Sequence, residues 1–185
     1  DAEKTRILRI QEISQRARTI QQQLDSIHTG TQDSQKQSTS LNEALHSAVK
    51  ACLPLLPPKI RINSSDLGDK DINVRCAQIE LEQLMVNLIL NARDAISPNS
   101  GTISVVAARK QKSVSITVSD TGPGIPAQHI ERIFDPFYTT KMGTQRNGFG
   151  LASVKLTVNK LKGTITANNL TTQEGACFVV SLPFD

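Results

Sequence analysis

The chain has 185 residues, enough for one domain of ordinary size and an appendage. Lys and Arg number 21 and Asp and Glu 17, for a net charge of +4, and only 3% of residues are aromatic, so the composition does not favour a nucleic-acid-binding protein. No apolar run approaches the ~18 residues of a membrane span, so we expect a soluble protein. The chain has three cysteines, Cys52, Cys76 and Cys177, and an odd number of widely spaced cysteines does not suggest a set of disulfides. We therefore expect reduced thiols and a cytoplasmic location.

The first 28 residues are predicted to form one long helix with a coiled-coil pattern. A single helix cannot bury such a seam alone, so we expect it to join a helical bundle, or else to fold back on its own domain. Residues 29–40 are small and polar and predict a linker, which leaves residues 41–185 as the main domain. The apolar seam consists of Ile10, Ile13, Ala17, Ile20, Leu24 and Ile27.

Helices and strand pairs are expected to interleave beyond the linker. No βαβ unit repeats, so the predicted fold class is α+β, a two-layer α/β sandwich whose mixed sheet is largely antiparallel. The predicted helices are residues 41–53, 79–96, 126–133 and 151–162, and the predicted strands are residues 59–63, 102–108, 113–119, 164–168 and 176–182.

The predicted helix 79–96 is apolar around most of its circumference, with Ile79 counted among the apolar positions, so we expect it to be deeply buried. It nevertheless carries one polar stripe. Steps of three and four place the members of this stripe on one helical face. Burying an unpaired amide costs about 1–3 kcal/mol, so the stripe needs partners. It either bonds to neighbouring backbone or faces solvent, or it lines a pocket for a polar ligand or a metal ion. The stripe consists of Glu80, Gln83, Asn87, Asn91 and Asp94.

A first glycine-rich turn, VSDTGPGIP, places Asp120 at the end of a predicted strand, followed by Gly122 and Gly124. Glycines at such a position let a ligand approach the backbone closely. The Asp120 carboxylate could accept a hydrogen bond from an exocyclic amine. The same pattern is also typical of an ordinary turn.

A second stretch, NGFGLA, places Gly148 and Gly150 directly before a predicted helix. Free backbone N–H groups and the helix dipole make such a terminus suitable for phosphate oxygens, although this signal is also weak alone. A long segment joins the two glycine clusters, and connections of that length are usually functional, often as lids. It carries Phe134, Phe137, Lys141 and Arg146.

Taken in order, four stretches resemble the ATP-binding catalytic domain of sensor histidine kinases, within the superfamily that includes the Hsp90, MutL and type II topoisomerase ATPases. The stretches are NLILNARDAI, DTGPGIP, IFDPFYTTK and NGFGLA, and the resemblance spans residues 41–185. It implies ATP and Mg²⁺ as ligands. The nucleotide-binding residues that it implies are Asn87, Asn91, Asp94, Asp120, Gly122, Gly124, Ile125, Phe134, Phe137, Lys141, Arg146, Gly148, Gly150 and Leu151.

The resemblance also implies roles for members of this set. Asn91 would coordinate Mg²⁺ beside Asn87, and Asp120 would accept from the adenine amine. Phe134 and Phe137 would anchor the lid. Lys141, together with Arg93 or Arg146, would neutralise phosphate charge, and the glycines with Leu151 would shape the base and phosphate contacts.

The chain departs from the family pattern at two of these positions. Arg146 stands where the second glycine-rich box often begins with Gly, and Asp94 stands where many relatives have Lys. None of His28, His46 and His129 has the sequence context of a phosphoacceptor. We therefore expect the acceptor histidine outside this chain, with residues 1–28 as the second helix of its dimerisation hairpin.

Three functions are compatible with these patterns. The first is the catalytic module of a two-component kinase, whose expected partners are ATP, the acceptor helix, a response regulator receiver domain and a second copy in the full-length protein. The second is a nucleotide-sensing or interaction module that transfers no phosphate. The third is a mechanochemical ATPase, which the short chain and the lack of Glu at position 87 disfavour.

Overall fold

The computed structural model describes residues 37–66, 68–139 and 148–184. The predicted helix 1–28, most of the predicted linker, and the site residues Lys141 and Arg146 lie outside the described residues. The last two residues assigned to the linker, Thr39 and Ser40, form a short strand, so regular structure begins two residues before the predicted boundary.

The predicted elements are present, with most ends shifted by one or two residues. The helix predicted for residues 126–133 is shorter and is continued by isolated turns. The strands are β1 Thr39–Ser40, β2 Ile60–Ser65, β3 Asn73–Val74, β4 Gly101–Arg109, β5 Ser113–Asp120, β6 Thr164–Asn169 and β7 Ala176–Pro183. The helices are α1 Leu41–Cys52, α2 Gln78–Ile96, α3 Ala127–Ile130 and α4 Gly150–Lys160, with 3₁₀ turns at Leu53–Leu55 and Gly68–Lys70.

Five strands form one mixed sheet in the order β2-β4-β5-β7-β6. The neighbours β2 and β4 are parallel, and the other three pairs are antiparallel. The strands β1 and β3 form a separate antiparallel pair. The predicted fold class, a two-layer sandwich with a largely antiparallel sheet, is confirmed.

One face of the sheet is covered by helices, and the strand sequences show why. In β5 the alternate residues Val114, Ile116 and Val118 are fully buried, whereas the intervening serines and threonine are half-buried. Successive side chains of a strand point to opposite faces, so this alternation directs the apolar set to one side. The apolar sides of α1, α2 and α4 join these strand residues in one core.

Helix α2 lies at the centre of the helical layer. Its core-facing residues are Leu81, Leu84, Met85, Leu88, Ile89, Ala92 and Ile96. The sequence pattern also counted Ile79 among the buried positions, and this was wrong, because its side chain is 64% exposed. Ile79 lies one turn before Gln83, on the side of the helix that faces away from the core.

The three cysteines are free thiols. Cys52 and Cys76 are buried and Cys177 is half-buried. Burial, together with the nearby Glu80 carboxylate, raises the pKa of the Cys76 thiol to about 11. Within the described residues, no helix combines the length and the apolar character needed to cross a membrane.

Two isoleucines of α2 allow a matched test of this packing. Ile89→Ala should lower the free energy of unfolding by about 2–5 kcal/mol, because it removes a fully buried side chain and leaves a cavity. Ile79→Ala should change it by about 0.5 kcal/mol or less, since that side chain is exposed. Urea unfolding measures both, and equal losses for the two variants would contradict the assigned face of α2.

Candidate nucleotide site

The polar stripe of α2 divides into two parts. At its N-terminal end, Glu80 accepts a hydrogen bond from the backbone N–H of Ala77 at 3.2 Å and forms an ion pair with Lys160 of α4 at 2.5 Å. This end of the stripe therefore bonds to protein neighbours. Gln83, the next member of the stripe, is exposed.

The middle of the stripe is different. Asn87 and Asn91 are half-buried, and their carboxamides form no hydrogen bond with any other residue that the structure describes. Buried or half-buried amides normally find partners, so these two groups are available to a ligand. The position of a Cβ atom added to Gly150, the first residue of α4, lies 3.9 Å from Asn87 Oδ1, which places the start of α4 next to this part of the stripe.

Asp94, the last member of the stripe, lies beside Arg93. The Arg93 guanidinium donates to Asp94 Oδ1 through Nε at 2.9 Å and contacts the same oxygen through Nη2 at 2.8 Å. Its third nitrogen, Nη1, donates to the carbonyl of Leu55 at 3.1 Å. Arg93 is thus engaged with protein groups, which does not support the predicted alternative that it neutralises phosphate.

Asp120 ends strand β5 as a buried carboxylate, with only 2% of its surface exposed. Its Oδ1 accepts from the backbone N–H of Gly122 at 2.8 Å and, more weakly, from that of Ala176 at 3.4 Å. The two donors come from the turn after β5 and from the start of β7. These two hydrogen bonds fix the orientation of the carboxylate at the C-terminal end of β5.

The glycines after Asp120 are required by close packing. A Cβ on Gly122 would lie 2.8 Å from Asp120 Oδ1 and 3.1 Å from the carbonyl carbon of Ala95 in the last turn of α2. Gly124 has a φ of +78°, a conformation that residues with side chains rarely adopt. The turn therefore lies directly against α2, one helical turn beyond Asn91.

Ile125 is held by a residue that sequence reasoning missed. Asn169, the last residue of β6, accepts from the Ile125 N–H through Oδ1 at 2.7 Å and donates to the Ile125 carbonyl through Nδ2 at 2.8 Å. From sequence alone, an Asn between a strand and a turn looks like an ordinary turn residue.

The two predicted aromatic anchors behave differently. Phe134 is half-buried and packs edge-to-face against the core residue Phe178, with ring centroids 6.4 Å apart. Phe137 has a φ of +65° and is 70% exposed, and its ring lies 6.0 Å from that of Phe149. The core contact expected of a lid anchor is therefore present at Phe134, while Phe137 packs against the residue that precedes α4.

The chain on either side of residues 140–147 comes together before α4. Gly148 has a φ of +66°, and a Cβ added to it would lie 2.5 Å from the carbonyl oxygen of Tyr138. Phe149, the described residue that precedes α4, provides no side-chain cap to this helix, and the half-buried Leu151 of its first turn packs against the core. Uncapped N–H groups at a helix start suit an anionic ligand.

These contacts bring most of the predicted site residues to one side of α2. Asn87 lies beside the α4 terminus and Ala95 beside the Asp120 turn, and eight residues of helix separate these points by about 12 Å. Within the described residues, no group of three His, Cys, Asp or Glu side chains could hold a metal ion. A metal at this site would thus depend on amide and ligand oxygens, which Mg²⁺ accepts.

Known proteins resemble this domain in both sequence and fold. The two-component sensor PprA of Pseudomonas aeruginosa is 42% identical over 116 residues, which cover 60% of this chain and 12% of that protein. The sensor histidine kinase ZraS of Escherichia coli K12 is 34% identical over 142 residues, which cover 70% of this chain and 29% of that protein. The chain thus spans less than a third of the length of these curated relatives.

A solved structure of the catalytic domain of histidine kinase ThkA superposes with a TM-score of 0.69 at 27% sequence identity, covering 80% of this chain and 96% of that one. Residues 76–185 match the family described as histidine kinase-, DNA gyrase B- and HSP90-like ATPases. That match includes Asn87, Asn91, Asp120 and both glycine-rich turns. The chain therefore belongs to this ATPase family.

Proposed function

We propose that this chain is the ATP-binding catalytic module of a two-component sensor histidine kinase, which transfers the γ-phosphoryl group of MgATP to a histidine outside the chain. One observation carries the proposal. The Asn87 and Asn91 carboxamides, which bond to no other described residue, lie on α2 between the start of α4 and the turn that follows Asp120.

The adenine end of the site is the buried carboxylate of Asp120. With Oδ1 bonded to the Gly122 and Ala176 N–H groups, the carboxylate is oriented to accept from an amine on the base. Gly122 and Gly124 leave room for the planar ring because they carry no side chain. Selection of adenine over guanine follows, since the guanine position that corresponds to the adenine amine carries an oxygen.

The phosphate end is the start of α4 together with Asn87 and Asn91. Backbone N–H groups of the first turn of α4 would donate to phosphate oxygens. The Asn91 side-chain oxygen would ligate Mg²⁺, with Asn87 beside it on the same helical face. Neutralisation of the phosphate charge is the chemistry that the ion would supply at this position. Lys141 and Arg146, outside the described residues, are proposed to supply further positive charge, since Arg93 is engaged elsewhere.

Phosphoryl transfer at such a site depends mainly on positioning and charge neutralisation. The nucleophile is proposed to be the histidine of an acceptor helix that belongs to the same kinase. A mechanochemical ATPase is less well supported, because position 87 is an amide that cannot serve as a general base. The kinase names of the relatives favour the kinase over a nucleotide-sensing module without transfer.

The remaining partners follow from this role and are part of the same proposal. The phosphorylated histidine would pass its phosphoryl group to the receiver domain of a response regulator. The full-length protein would act as a homodimer through the hairpin to which residues 1–28 are assigned. The module would work on the cytoplasmic side, where ATP is available.

Replacement of Asp120 by Asn should weaken ATP binding about ten- to a hundredfold. Asn keeps an Oδ1 acceptor for Gly122 and Ala176 but offers the base amine a second donor in place of a charged acceptor, a loss of about 1.5–3 kcal/mol. Isothermal titration calorimetry with MgATP measures the change. Asp135→Asn is the control, because Asp135 is exposed and contacts Arg132 at 3.8 Å. Equal affinity of Asp120→Asn and wild type would refute the adenine assignment.

The chain alone should bind ATP without phosphorylating its own histidines. His46 Nε2 lies 2.8 Å from a carboxylate oxygen of Asp66, and His129 Nδ1 is hydrogen-bonded to the Tyr138 hydroxyl. After incubation with γ-labelled ATP we expect no acid-labile label on this chain, and label on an added helix that carries the acceptor histidine.

Two outcomes would count against this proposal. Label that disappears when His28, His46 or His129 is replaced by Gln would place the nucleophile inside the chain. Absence of label on every added segment from the native protein would favour the nucleotide-sensing module.

A further inference from the structure

Asp120 lies at one end of the sheet, where β5 and β6 finish and the strand between them, β7, begins. In the register of β5 and β7, Ser119 is opposite Cys177, so Asp120 is next to Ala176. In the register of β6 and β7, Asn169 is opposite Ala176. Residues directly opposite in an antiparallel pair point to the same face, so Asp120, Ala176 and Asn169 share the helix-covered face of the sheet.

From this end of the sheet, Asn169 forms two hydrogen bonds to a single backbone unit. Its Oδ1 accepts from the Ile125 N–H at 2.7 Å, and its Nδ2 donates to the Ile125 carbonyl at 2.8 Å. Reversing the amide would set donor against donor and acceptor against acceptor, so the network fixes its orientation. A planar carboxamide held at both ends restricts the backbone of Ile125 in position and direction.

The loop between Asp120 and Ile125 is therefore held at both ends. At the first end, Asp120 Oδ1 accepts from Gly122. At the second end, the position of a Cβ on Gly124 lies 2.8 Å from Asn169 Oδ1, so the carboxamide lies directly against the loop. Between these ends, Thr121 is also tied to Thr102 of β4, donating its N–H to the Thr102 carbonyl at 3.2 Å and accepting from the Thr102 N–H through Oγ1 at 3.0 Å. Gly122 and Gly124 themselves contribute no side chains to the core.

The turn between β6 and β7 also packs closely against the backbone of Asp120. Gly175 has a φ of +142°, and a Cβ there would lie 1.9 Å from the Asp120 carbonyl oxygen. The next residue, Ala176, donates its N–H to Asp120 Oδ1. Asn169, at the start of this turn, thus contacts the loop after Asp120, and Gly175 and Ala176, at its end, contact Asp120 itself.

We propose that Asn169 is a positioning residue that sets the base selectivity of the site, an inference that rests on the proposed binding of adenine at Asp120. Asn169 does not itself contact the base. It holds the Gly122–Ile125 backbone at a fixed distance from the Asp120 carboxylate, so that a purine fits with its amine directed at that group. Without this restraint the loop moves away, water competes for the carboxylate, and the amine contributes less to binding.

The test compares ATP with purine riboside 5′-triphosphate, which lacks the exocyclic amine, as ligands of the same chain in the presence of Mg²⁺. The ratio of the two dissociation constants reports how much the amine contributes. The wild type should prefer ATP about tenfold or more, and Asp120→Asn should abolish this preference. Asn169→Ala should reduce the ratio by about five- to tenfold while the affinity for the analogue changes about twofold or less.

Two further variants keep the result interpretable. Asn169→Asp keeps an acceptor for the Ile125 N–H but sets a carboxylate oxygen against the Ile125 carbonyl oxygen, so its ratio should fall at least as far as that of Asn169→Ala. Asn168→Ala alters the preceding exposed residue, which points to the other face of the sheet, and should leave the ratio unchanged.

A merely structural role would give a different pattern. If Asn169→Ala weakens both ligands equally, or neither, while Asp120→Asn still abolishes the preference, then Asn169 does not set selectivity and the inference is wrong. If the wild type shows no preference for ATP, the adenine assignment fails and this inference fails with it.

Discussion

A helix at the centre of a core tolerates polar side chains only where they find partners, and this constraint on α2 governs the domain. One side of α2 is buried, with Leu81, Leu88 and Ile89 fully excluded from solvent. The other side carries Asn87 and Asn91, whose carboxamides bond to no other residue that the structure describes. Amides that are partly withdrawn from water destabilise the folded protein unless a ligand or a bound water replaces their lost hydrogen bonds to solvent. A polar ligand on this side of α2 would meet that requirement.

The other parts of the site are arranged by their contacts with the same helix. Helix α4 contacts α2 near both of its own ends, through Gly150 beside Asn87 and through the ion pair between Lys160 and Glu80. The two helices are therefore antiparallel, and the start of α4 faces the middle of the stripe. The Asp120 turn contacts the last turn of α2 because Gly122 has no side chain. Base and phosphate contacts from distant parts of the sequence thus come together along one helical face.

Local patterns in the sequence were sufficient to predict much of this arrangement. Steps of three and four identified the stripe, the strands β4, β5, β6 and β7 were predicted to within one residue at each end, and glycines marked the two turns. The exposure of Ile79 was missed because composition alone does not show which side of an apolar helix meets the core. Asn169 and the Lys160–Glu80 pair were missed for another reason, since these contacts join residues 44 and 80 positions apart. Such contacts depend on strand order and helix packing, which periodicity does not encode.

The most direct test of the role of α2 is the Mg²⁺ dependence of ATP binding in Asn91→Ala, compared with Gln83→Ala, which alters an exposed residue two turns earlier on the same stripe. Titration calorimetry with and without Mg²⁺ gives the gain in affinity that the ion confers. If Asn91 supplies an oxygen to Mg²⁺, this gain should fall about tenfold or more in Asn91→Ala and stay unchanged in Gln83→Ala. An undiminished gain in Asn91→Ala would show that the stripe does not face the metal and phosphates, and would contradict the proposed role of α2.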